Sequence, residues 1–123
     1  MTMFQTFKRV SLDVQVTDTT VAIGSGTARI NNALYSYDGT MVGFNSMVTF
    51  GGDASKYQNV LLYLQDVGGM VDMTRSVSAM ASSISTLDNP GMDASSTWSG
   101  NYPVGRFTFY TSDGTTPQLV SYI

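Results

Sequence analysis

The sequence predicts an α+β fold, an antiparallel sheet of about five to seven strands with a helical hairpin, about 54–67 and 70–88, packed on one face. Two observations predict it. Between Arg9 and Thr17, Val10, Leu12, Val14 and Val16 alternate with Arg9, Ser11, Asp13 and Gln15, which is the period of a strand with one wet face. Further along, apolar residues recur at helical spacing, first at Tyr57, Val60, Leu61, Leu64 and Val67, then at Met70, Met73, Val77, Met80, Ile84 and Leu87.

The strands are read in order. After Arg9–Thr17, Thr19–Ile23 forms a short second strand that the glycines at 24 and 26 end. Leu34–Tyr37 and Thr40–Phe44 flank Asp38-Gly39, a pair that accepts the positive φ angles of a tight type I′ turn, so these two are expected to form a hairpin. Ser46–Phe50 is read as another strand. Asp53 is placed to cap the first helix, Gly68-Gly69 separates the two helices, and Pro90 stops the second near Asp88. The first helix has a rival, because Val60 to Leu64 are all apolar or aromatic and also fit a buried strand. Met92–Gly105 has turn formers and no period, and is read as a long loop. Phe107 and Phe109 then alternate with polar neighbours, Asp113-Gly114 makes a turn, and a last strand runs near Gln118–Tyr122, where Pro117 suits an edge or a first position. No repeat or composition shift divides the 123 residues, so residues 1–123 are read as a single domain.

Composition narrows function more than any motif does. Charged residues make up 12% of the chain, about half the usual share, while Ser and Thr supply about a quarter. A surface so poor in charge has little repulsion to keep copies apart. The net charge of -3 and the scatter of Lys8, Arg9, Arg29, Lys56, Arg75 and Arg106 do not form the clustered basic footprint of a nucleic-acid binder. No apolar run approaches a membrane span, and the N-terminus lacks the pattern of a signal peptide, so no membrane partner and no signal-directed export are expected.

The chain has no His, no Cys and no Glu, which removes the usual general base, the thiolate nucleophile and the commonest metal ligands. A Ser-Lys pair would have to use Lys8 or Lys56, with no signature around either. Carboxylate pairs at Asp66 and Asp72, or at Asp88 and Asp93, match no calcium loop, and Gly24–Gly26 lacks the lysine of a phosphate-binding loop. The expectation is therefore no enzyme, no cofactor and no metal.

Two features point to contact with other molecules. The expected second helix carries Ser76, Ala79 and Ser83 on a flank of small residues, suited either to its own sheet or to a neighbouring subunit. Trp98 and Tyr102 form either a stacking platform and interface anchor or a loop tucked onto the core. Together with the sparse charge, these features favour a structural protein that assembles with itself and with other virion proteins: a virus or bacteriophage coat, cement, decoration or tail subunit. Its expected location is the virion, with extracellular or cytoplasmic residence as the alternatives. The alternative function is a small monomeric binding module for carbohydrate or protein, using the loop aromatics. Calorimetric titration with calcium, zinc and magnesium should show no specific binding; a stoichiometric site of micromolar affinity would overturn that expectation.

Overall fold

A computed structural model describes residues 5–9, 12–88 and 101–122. Ten strands run in the order β1 (Gln5–Arg9), β2 (Leu12–Val16), β3 (Thr20–Ile23), β4 (Gly26–Ile30), β5 (Ala33–Tyr37), β6 (Thr40–Gly43), β7 (Lys56–Val67), β8 (Met70–Val77), β9 (Tyr102–Thr111) and β10 (Pro117–Tyr122). They form three antiparallel sheets: β1-β2-β3-β6, β10-β9-β7-β8, and the separate hairpin β4-β5. The expected α+β fold is therefore corrected to an all-β one. The only helical pieces among the described residues are short 3-10 turns at Phe44–Ser46 and Ile84–Thr86. None is long and apolar enough to cross a membrane.

The helical hairpin at about 54–67 and 70–88 is a β-hairpin, β7 and β8, in register from Val67↔Met70 to Val60↔Val77. The rival reading of β7 as a buried strand is the one that holds. The physical reason lies in how the periods overlap. Residues four apart share a face in both a helix and a strand, so Met73 and Val77 satisfy either. Spacings of three separate the two, and Met70 is 74% exposed while Met73 packs on the core. In β7, residues 58–62 are buried consecutively because both faces are covered, and any continuous apolar run contains a helical subset. Val, Thr and Ser in β8 also favour extended backbone over helix. Asp53 caps nothing; it lies in an exposed turn where its N–H reaches the Phe50 carbonyl. Gly68 and Gly69 do join the two elements, with φ of 62° and 86°.

Other boundaries move for equally local reasons. Arg9 belongs to β1 and faces Leu12, so the alternating strand is Leu12–Val16, with Val10 outside the described residues. Asp38-Gly39 does not close a hairpin, because β5 pairs with β4 and β6 pairs with β3. The pair makes a corner between sheets, where Gly39, at φ 91°, passes so close to Ile23 that a Cβ would lie 2.8 Å from its carbonyl oxygen. The left-handed hairpin turn is instead at Asn31 and Asn32, φ 51° and 64°, in residues whose short polar side chains tolerate that region. Ser46–Phe50 is a turn and an irregular segment. Tyr102–Gly105, read as loop, opens β9.

A single apolar cluster joins all three sheets. Leu12, Val14, Val16, Val21 and Ile23 enter from the first sheet, Val60, Leu62, Leu64, Phe107 and Phe109 from the second, and Ala28, Ile30 and Tyr37 from the hairpin. Phe44 closes the space between the sheets by meeting Phe109 edge to face, with centroids 4.9 Å apart.

The β9–β10 turn is held by Asp113, whose Oδ1 accepts hydrogen bonds from the backbone N–H groups of Thr115 and Thr116, both at 2.8 Å. These bonds keep the carboxyl well below the usual carboxylate range. Beside it Gly114, at φ 86°, lies against Gly52, whose N–H donates to the Gly114 carbonyl at 3.0 Å. A Cβ at 114 would collide with Gly52. Gly114→Ala should therefore cost about 3 kcal/mol, read as a lower urea midpoint; an unchanged midpoint would refute the close docking of the two turns.

Candidate functional site

Two strand edges border the clearest cleft. β8 pairs only with β7, and β5 only with β4, among the described residues. Among the described residues no backbone hydrogen bond joins β5 to β8, although the strands approach each other. The space between them, about 580 Å³, is lined by residues 35–40, the end of β5 and the corner, and by residues 69–73 of the β7–β8 tip.

Its geometry is set by side chains distant in sequence. The Tyr35 hydroxyl donates to Asp66 Oδ2 at 2.9 Å, while Asp66 Oδ1 accepts the Gly69 N–H at 2.8 Å. Asp66 thus caps its own turn and pins the β4–β5 hairpin to it. That hydrogen bond, then desolvation and the carboxylate charge, raises the Tyr35 pKa above its ordinary 10.0. Tyr37, two residues on and on the same face of β5, is buried in the core. Its pKa is also raised, chiefly by burial, with Asp72 adding to the shift and a hydrogen bond with Thr40 opposing it. Asp38 and Asp72 stand exposed at the rim, Met70 and Met73 supply apolar wall, and no Lys or Arg lines the space. A smaller cleft of about 210 Å³ continues along β8 and shares Met73; there the Arg75 guanidinium donates to the Met47 carbonyl.

The residues singled out from sequence do not converge. Ser76 is half-buried in β8 opposite Leu61, Ala79 is exposed just beyond the strand, and Ser83 is half-buried and hydrogen-bonded with Ser85 and Thr86. With no helix over residues 76–83, they make no common flank. Tyr102 is buried in the core, and Trp98 lies outside the described residues. Asp66 and Asp72 sit on opposite faces of the β7–β8 hairpin, since Asp66 faces Val71 and Asp72 faces Gln65. Asp93 lies outside the described residues. Among the described residues no three metal-ligating side chains gather.

Tyr35 and Tyr37 were not indicated by any sequence signal beyond their alternation on one strand. No protein family, curated protein or solved structure matches the chain.

Because both phenols are held protonated in the folded chain, their contribution to stability is fully present below pH 10.0 and is lost as pH rises through their raised folded values. A Tyr35→Phe/Tyr37→Phe double variant should show a shallower alkaline fall in urea midpoint than the wild type. Equal slopes would contradict the assignment.

Proposed function

We propose that this chain is a structural, self-assembling subunit of a virus or bacteriophage particle, a coat, cement, decoration or tail component, with copies of itself and other virion proteins as partners and the virion as its location. The observation that supports this reading is the character of two of its sheet edges. Of the four terminal strands of the two larger sheets, β1 and β8 carry charged residues, whereas β6 and β10 carry none. Soluble proteins commonly protect such edges with lysine or other charges, since an open edge offers unpaired N–H and C=O groups to another chain. Here Met41, on β6, is 69% exposed, and Val120, at a bulge in β10, is 48% exposed. The sparse charge, 12% of residues, leaves little repulsion between copies. The alternative, a monomeric binding module built on loop aromatics, loses Tyr102, whose ring is committed to the core.

Light scattering at micromolar concentration, with electron micrographs of the same sample, tests the reading. The wild type should associate. Met41→Lys and Val120→Lys, which place charges on the two edges, should reduce association while changing monomer stability by no more than about 0.5 kcal/mol. A wild type that stays monomeric, or variants that assemble as it does, would overturn the proposal.

A further inference from the structure

We infer that the cleft between β5 and β8 is a docking groove for an extended segment of a partner protein that inserts a Lys or Arg side chain between Asp38 and Asp72. Three observations lead there. The groove is lined by two carboxylates and by no cation, and Asp66 stands beside it with both oxygens already engaged. A cationic group entering between Asp38 and Asp72 would meet uncompensated negative charge. Next to these carboxylates lie Tyr35 and the methionines at 70 and 73, surfaces that accept the aliphatic stem and cationic head of a long basic side chain. Finally, one wall is an edge of β8, a strand of eight residues that among the described residues pairs with β7 alone, so the backbone of an extended segment has a hydrogen-bonding track to follow. That track distinguishes a peptide from a free amine.

The volume of about 580 Å³ falls within the range in which pockets hold a drug-sized ligand, of about 300–1,000 Å³, and is ample for one long side chain with its flanking backbone. The Tyr35–Asp66 hydrogen bond joins the two walls of the groove in the free chain. The inference goes beyond the assembly reading, because the basic segment need not come from a copy of this chain. The two are tested separately.

The probe is a blocked peptide, Thr-Val-Lys-Val-Thr, with an otherwise identical peptide carrying alanine in place of lysine, and with lysine amide as a small-cation control. Calorimetry should show binding of the lysine peptide that weakens as salt is raised, and hydrogen exchange should slow at residues 35–40 and 69–73. Asp38→Asn together with Asp72→Asn should weaken binding about tenfold while leaving the thermal unfolding midpoint in place. Absence of binding, equal binding of the alanine peptide, lysine amide binding as tightly as the peptide, or protection elsewhere in the chain would each overturn the inference. None of these results bears on whether the wild type self-associates.

Discussion

The rest of the structure depends on β7, a strand of twelve residues paired along both edges and covered on both faces over its first half. A strand so placed cannot leave a polar group to water, yet it carries Gln58 and Asn59 at 1% and 3% exposure. Their hydrogen bonds determine where the neighbouring chain must run. Gln58 Oε1 accepts the Thr49 N–H at 2.8 Å, and its Nε2 donates to Thr49 Oγ1 at 2.7 Å and to the Ser78 carbonyl at 2.8 Å. Asn59 Nδ2 donates to the Asp88 carbonyl at 2.8 Å, and its Oδ1 accepts the Thr108 hydroxyl. One residue fastens the segment entering β7 to the segment leaving β8; the next, on the opposite face, fastens β9 and the chain that returns over the sheet. These bonds contribute modestly one by one, but losing a partner would strand a buried amide, so they fix the path more strongly than their net energy suggests.

The sheets are tied to one another by different means in different places. On the β9–β10 side the link is backbone against backbone, the turn at Gly114 seated on Gly52. On the β5–β8 side it is a side-chain hydrogen bond, Tyr35 to Asp66, with an open cleft next to it. The first side tolerates no Cβ at Gly114, whereas the second leaves a cleft between two strand edges. The edge strands β6 and β10 carry no charged residue, and among the described residues no three metal-ligating side chains gather.

Much of the sheet was legible in the sequence wherever one face is wet. Leu12–Val16 alternates cleanly because Asp13 and Gln15 face solvent, and the β3, β5, β6 and β10 segments were recognisable from alternation between turn formers. The turn at Gly68-Gly69 and the position of Pro117 at the head of a strand were also readable. What failed was the pair β7–β8. Burial on both faces erases the period of two, and the spacing of four at Met73 and Val77 serves both conformations. The Asp38-Gly39 corner misled for a related reason: its glycine is required by contact with Ile23, from another strand, and not by a hairpin. The cleft was hidden more thoroughly. Asp66 and Asp72 were visible as acidic residues, but Tyr35 and Asp66 meet across 31 positions of sequence, and only the folded topology brings them together.

The register of β7 with β9 joins residues as far apart as Lys56 and Thr111, while its register with β8 is closed by a two-glycine turn. The local hairpin can form in microseconds, but the second edge of β7 must wait for a large loop to close. During synthesis from the N-terminus, β7 and β8 are made well before β9. For that interval β7, with its apolar run from Val60 to Leu64, is a half-finished ladder with one edge bare. Timing therefore enters the fate of this chain: folding of each copy competes with capture of that edge by another nascent copy, and slower arrival of the last two strands shifts the outcome toward the misassembled product.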